Sequence, residues 1–347
     1  MLHSSSGGLS DFETCSLSQL VRNKQKGVTM QKVKQDKQFK RKILLSKSVK
    51  ILSMAFRYVT LIAIAFVILS PMISVIAESF YTSNDVYNPM VYLFPMEGTF
   101  GNYELAIMRT EYWKTLVKTL LFVVSLTLIQ IMVCSTVGYG FARFNFPFKK
   151  ILFACVIITI VIPSYTIMLP LYMQFRNFDP LSLFSLFGGE AQNWLRTMKP
   201  VYLMTILGCG LRSGLFIYIF IQFFRGIPKE IEEAAFVDGA GAFRTFLTIM
   251  LPNAQPAIIT VAVFSLVWQY NDSFLPALFG VNTDYMLGQK ISSLTSTIQF
   301  IDKVMNPEVQ AVYLKAGVVL MIIPILIIYI LLQRRFIEGV ERSGIVG

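Results

Sequence analysis

The chain has 347 residues, of which 54% are hydrophobic and only 15% charged, and its mean hydropathy is +0.59. That balance excludes an ordinary soluble domain and fits a bilayer protein, and the length accommodates about six spanning helices of roughly 20 apolar residues each. The net charge of +11 is concentrated before the first apolar run, from Arg22 and Lys24 to Lys50 and Arg57, which is the pattern of a cytoplasmic flank attracted to anionic lipid, not of a nucleic-acid binder.

In chain order, residues 1–50 are polar, basic and without apolar periodicity, so they read as a mobile tail. Residues 51–347 hold six apolar segments, near 58–78, 116–140, 151–174, 203–224, 256–279 and 316–335. Each is expected to be a helix, because an isolated span in lipid has no other way to satisfy its backbone; the fold class is all-α and polytopic. The first segment starts late and lacks a small-residue cleavage site, so it is a retained span. The third carries no charge from Ile151 to Gln174, whereas the fourth contains Arg212 and the fifth Asn271 and Asp272.

Lys and Arg set the orientation. With the tail inside, six spans return the C-terminus to the cytoplasm, and about 21 basic residues lie inside against about nine outside. The external connections near 80–115, 175–202 and 280–315 are longer than a helix hairpin requires, which leaves room to face a partner. Cys15, Cys134, Cys155 and Cys209 form no CxxC or Cys/His cluster, and three of them sit in apolar segments as small hydrophobes.

The most informative stretch lies between the fourth and fifth spans, RGIPKEIEEAAFVDGAGAFRTFLTIMLPNAQPA, Arg225 to Ala257. It reads as two short helices joined by a glycine turn. Pro228 suits a first helical turn, Glu230, Glu232 and Glu233 place negative charge at the positive end of the helix dipole, Gly239 and Gly241 supply a stop, and Pro252 ends the second helix. On the first helix Ile231, Ala234, Ala235 and Asp238 follow i, i+3, i+4, i+7 spacing, a face of small side chains that suits a groove on a soluble partner. An interfacial helix lying on lipid is the alternative reading of the same pattern.

This stretch resembles the EAA loop of permease subunits of binding-protein-dependent ABC importers: EAA, three residues, Gly, nine residues, Ile, one residue, Leu-Pro. The matching positions are Glu233, Ala234, Ala235, Gly239, Ile249, Leu251 and Pro252, with Asp238 and Ala240 also of the usual type. FPMEGTFGNYELA from Phe94, GYGFARFNFPFKK from Gly138 to Lys150 and VWQYNDSFLPAL from Val267 to Leu278 are similar to the carbohydrate-importer branch, which includes the shorter permease of the maltose system. The first 50 residues fall outside the likeness, and Glu341, Arg342 and Ser343 replace the branch's more usual Thr-Ala-Gly.

The resemblance implies a type I importer permease fold with a MetI-like core in a prokaryotic cell membrane. The implied partners are a second homologous permease, two copies of a cytoplasmic ATP-binding subunit, an external solute-binding protein and the lipid bilayer. It implies that Glu233 makes a polar contact with the ATPase and that Gly239 lets the loop seat. ATP and Mg would bind the partner: no GxxxxGK[ST] run exists, DGAGAFRT lacks the Lys, and His3 is the sole histidine, so no catalytic set can be assembled and no resident cofactor or metal is expected. Arg212, Asn271 and Asp272 are polar groups costly in lipid, and Trp268 and Tyr270 are aromatics able to stack on sugar rings; these five are candidates for the translocation path, with structural roles as the alternative. Rival functions are import of a non-sugar solute by the same machinery, and an ATP-independent channel or carrier.

Overall fold

The computed structural model describes residues 49–281 and 286–344. The expected mobile tail, with His3 and Cys15, therefore lies almost wholly outside the described residues. Two contact units are present, one ending at Ile73 and one beginning at Ser74. The first is most of helix α1 (Val49–Glu78), whose side chains from Val49 to Leu69 are exposed and apolar enough to face lipid.

The second unit holds α2 (Ser83–Tyr87) and α3 (Gly101–Thr110), which organise the connection that follows α1. Thr82 and Asp85 form a capping box at the start of α2, a device that satisfies orphan amides at both ends of the first turn. The Asp85 carboxylate takes the Thr82 backbone amide and hydroxyl, each at 3.0 Å, and the Met96 amide at 3.1 Å. Burial alone would push this carboxyl up, but the donors from Thr82 and Met96 outweigh it and hold Asp85 below the usual carboxylate range.

Helix α4 (Tyr112–Arg143) is 32 residues long, about 48 Å at 1.5 Å per residue, so it crosses the hydrocarbon and projects beyond it. The third expected span is divided into α5 (Lys149–Val161) and α6 (Met168–Arg176), bent by 102° at Pro163. The connection after α6 holds a short α7 (Leu183–Leu186) and an isolated bridge between Phe178 and Gln192.

The fourth expected span, 203–224, is not continuous. It is broken into α8 (Lys199–Ile206) and α9 (Ser213–Gly226), with Gly208 at φ 72° and Arg212 at φ 57° between them. Two left-handed residues within five positions cannot propagate a right-handed helix, a constraint that a hydropathy average does not register.

The connection that follows α9 carries α10 (Lys229–Val237) and α11 (Ala242–Thr245), a π-helical turn at Phe246–Met250, and α12 (Leu251–Asn253). Helix α13 (Gln255–Asn271) follows after a 76° bend. Then come α14 (Phe274–Leu278), α15 (Leu287–Ser292), α16 (Leu294–Ile301) and α17 (Pro307–Gly344). Pro324 lies inside α17 and cannot donate to the Leu320 carbonyl one turn earlier. The Tyr112 hydroxyl fills that vacancy at 3.0 Å, and the Tyr270 hydroxyl donates to the next carbonyl, Met321, at 2.8 Å.

Helix α4 is the hub, packing on α9, α13 and α8. Phe216, Phe220 and Phe224 recur every four residues along α9 and are fully buried with Cys134, Tyr139 and Phe141 of α4. Lipid tails are as apolar as these side chains, so close van der Waals fit replaces the hydrophobic effect as the cohesive force. Gly138 makes that fit possible: a Cβ there would come within 2.5 Å of Phe220 Cβ.

Candidate functional site

The α9–α13 connection is built much as its residues dictate, with three corrections. Pro228 stands at the N-cap of α10, not inside its first turn. At the other end Gly239 adopts φ 81°, Ala240 N–H donates to the Ala235 carbonyl and Gly239 N–H to the Phe236 carbonyl, both at 3.0 Å, the paired bonds of a Schellman stop. A Cβ on Gly239 would meet nothing, so glycine is required by backbone conformation and not by space.

Secondly, Pro252 does not end the second helix. The preceding turn widens, Leu251 N–H reaching back to the Phe246 carbonyl, and a π-turn makes room for a proline ring that would otherwise press on the carbonyl four residues earlier. The chain stays helical to Asn253, whose side chain donates to the Ile249 carbonyl at 2.8 Å.

Thirdly, the small-residue face of α10 is divided. Ala235 is buried against the chain itself, whereas Ile231, Glu233, Ala234 and Asp238 are exposed, and Val237 is 87% and Phe243 71% exposed. Ala240 is half-buried; Ile249 and Leu251 are partly buried, Leu251 on the core around Met250, and Pro252 is exposed. The loop therefore offers an acidic and apolar surface at α10 and seats its second half on the spans.

What fastens α10 is a junction that the motif reading missed. Glu232, one residue before the EAA triplet, is turned inward. Its Oε2 lies 3.1 Å from Arg143 Nε with side chains only 8% and 5% exposed, and its Oε1 accepts from the Tyr139 hydroxyl. Arg143 Nε makes no well-formed hydrogen bond, so this contact is a charge pair; Arg143 Nη2 is directed to the Ile227 carbonyl at 2.6 Å. The Tyr139 ring stacks on Phe246 at 5.2 Å and meets Phe224 edge-on at 5.6 Å. The last turn of α4 thus holds the end of α9, the helix α10 and the π-turn together. Removing one partner of such a buried pair costs about 3–5 kcal/mol, because the other charge is left unpaired. Arg143 is visible in sequence only as an inside-facing charge and Glu232 only as a first-turn acid.

A second polar cluster lies inside the membrane, about 20 Å along α4 from Arg143. Gln130, fully buried, donates to the Leu211 carbonyl at 2.7 Å and to Ser213 Oγ at 2.9 Å, and accepts from Ser265 Oγ at 2.7 Å and Gln269 Nε2 at 3.4 Å. Non-helical backbone at that depth needs protein partners, and Gln130 supplies them to the break between α8 and α9.

The five candidate path residues are not brought to one place. Arg212 stands at the N-cap of α9, about 20 Å from the C-terminal end of that helix, with its guanidinium 5.7 Å from the Trp268 ring centroid. Trp268 also stacks with Phe216 and Phe264. Arg212, Gly208 and Thr159 line a cavity of about 320 Å³. Tyr270, Asn271 and Asp272 line a different one, of about 440 Å³, with Ser292 and Met321. There Tyr270 is buried and committed to the Met321 carbonyl, Asn271 donates to its own helix at Val267, and Asp272 accepts the Phe274 amide at 3.0 Å. Each of these three thus has a hydrogen-bond partner within the chain while lining that cavity.

Comparison with known proteins adds the family. Residues 134–342 match the model of the binding-protein-dependent transport system inner membrane component. The chain is 26% identical over 290 residues to the diacetylchitobiose uptake system permease protein of Streptomyces coelicolor, covering 83% of this chain and 88% of that one. It is 24% identical to the maltodextrin transport system permease protein of Bacillus subtilis, covering 87% and 99%, and 25% identical to the trehalose transport system permease protein of Mycobacterium tuberculosis, covering 74% and 85%. Among solved structures, a chain of a bacterial ABC transporter involved in the import of the acidic polysaccharide alginate superposes with a TM-score of 0.64 at 20% identity, covering 83% of this chain and 98% of that one; the fold is shared.

Proposed function

The chain belongs to the family of binding-protein-dependent transport system inner membrane components, and from that membership we propose that it is the permease subunit of a sugar importer whose energy enters through α10. It is membrane-embedded and a transport component, not an enzyme. The cargo class rests on relatives named for diacetylchitobiose, maltodextrin and trehalose.

The observation that carries the energetic half is the surface of α10. Glu233, Ala234, Val237 and Asp238 lie exposed between two spans, on a helix fastened from behind. Exposed apolar side chains on a cytoplasmic helix call for a cover, and a groove on an ATP-binding subunit is the cover we assign. ATP and Mg bind there and not on this chain, Glu233 makes a polar contact with that subunit, and Gly239 shapes the turn that seats the loop. A second permease completes the pore, two ATP-binding subunits drive it, an external binding protein delivers the solute, and both termini are cytoplasmic. Of the candidate path residues, Arg212 lines the cavity beside the break between α8 and α9, Tyr270, Asn271 and Asp272 line the other cavity, and Trp268 packs behind Arg212.

Glu233→Lys tests this reading. It reverses an exposed charge without touching the core, so the variant inserts and folds, while the ATP-binding subunit co-purifies in reduced amount and ATP-driven uptake falls by about tenfold or more, the size of a coupling free energy of 1–3 kcal/mol. Unchanged co-purification together with unchanged uptake contradicts the docking assignment.

A further inference from the structure

The loop that receives the ATPase is joined to the spans by two covalent connections, through α9 and through α13, and both are poorly suited to carrying force. On the α9 side the chain turns out of the helix at Ile227 and Pro228. On the α13 side it passes the glycine turn, the π-turn and a 76° bend at Ala254. The stiffest link is non-covalent: Tyr139 and Arg143, one turn apart on α4, grip Glu232 and also reach Ile227 and Phe246.

Resting on the functional reading above, we propose that Tyr139, Arg143 and Glu232 are positioning residues for energy coupling, a latch that makes α10 and the cytoplasmic end of α4 move as one body. Movement imposed on α10 then enters the membrane through α4. This helix also carries Gln130, about 20 Å deeper, which is bonded to the Leu211 carbonyl at the break between α8 and α9. A single continuous helix thus connects the docking loop to the unwound segment beside the Arg212 cavity. Two discrete arrangements of such a body, each favoured by a different nucleotide state of the partner, suffice to transmit a bias between them.

The latch is also specific in its chemistry. A carboxylate at 232 satisfies a guanidinium and a phenol at once, whereas an amide keeps the shape and loses the charge. Glu232→Gln therefore separates positioning from packing, Glu232→Asp is the conservative rescue, and Tyr139→Phe removes one bond while keeping the ring stacked on Phe246.

The test uses the assembled transporter with native cysteines replaced and spin labels at Asn145, just beyond α4, and at Lys229, the first residue of α10 and outside the docking surface. In the unaltered chain the Asn145–Lys229 distance stays the same with and without a non-hydrolysable ATP analogue. In Glu232→Gln it shifts or broadens with nucleotide, and sugar transported per ATP hydrolysed falls on the order of tenfold, using whichever of radiolabelled diacetylchitobiose, maltodextrin or trehalose the unaltered complex takes up. Glu232→Asp restores most of that ratio, and Tyr139→Phe lies between. The latch is overturned if the distance in the unaltered chain changes by about a helical turn, ~5 Å, between nucleotide states, or if Glu232→Gln and Tyr139→Phe both couple normally. Failure of any ATP-binding subunit to co-purify with the unaltered chain would instead remove the functional reading itself.

Discussion

Two buried polar clusters on α4, one at its C-terminal end and one about 20 Å away at Gln130, are held by opposite chemistry. The junction of Tyr139, Arg143 and Glu232 is ionic and concentrated, so losing Arg143 or Glu232 strands a charge. The Gln130 cluster is neutral and distributed over four side chains and a carbonyl, so each bond is replaceable. Ionic contacts give an all-or-none attachment, whereas neutral contacts let a broken span remain satisfied while its neighbours shift.

That contrast is breakable. The largest effect belongs to Arg143→Ala, which leaves Glu232 buried without its partner. The expected loss is about 3–5 kcal/mol, read as a lowered thermal midpoint of the detergent-solubilised complex; a change no larger than that of an exposed substitution such as Glu233→Lys would mean that the pair is wet. Gln130→Leu should cost about 1–2 kcal/mol, in line with interhelical hydrogen bonds in membranes, and a loss as large as that of Arg143→Ala would erase the distinction between the two clusters.

The smallest effect lies outside, where Asp85 stands between the two cases: a charge held by neutral donors. Its carboxyl is depressed, since the bonds from Thr82 and Met96 outweigh the burial that opposes them. Its contribution is present above the ordinary carboxylate range and is lost as pH falls through the folded value. Hydrogen exchange at Thr82 and Met96, corrected for intrinsic rates, should therefore rise on acidification, and Asp85→Asn should flatten that dependence. A profile identical in variant and parent would show that Asp85 does not hold the loop.

Legibility in the sequence follows the same division. Spans one, two and six are readable because uniform apolarity over about 20 residues leaves few alternatives, although α17 runs well beyond 316–335 at both ends. The fourth span is misread as continuous because Gly208 hardly changes its hydropathy and the average over the segment absorbs Arg212, while both residues adopt left-handed backbone. Glu233 to Gly239 is readable because the spacing is local. Glu232 with Tyr139 is not, since the two are 93 positions apart and only the fold makes them neighbours. The EAA reading likewise assigned Ala235 to the offered face, where helical periodicity alone could not tell which side meets the chain's own core.

The most direct test of the account is the energy source of uptake. Proteoliposomes containing this chain with the permease and ATP-binding partners proposed for it, supplied outside with the solute-binding protein and the labelled sugar that protein takes, should accumulate that sugar only when ATP is enclosed. Accumulation at the same rate without ATP, or driven by an imposed ion gradient, would contradict it.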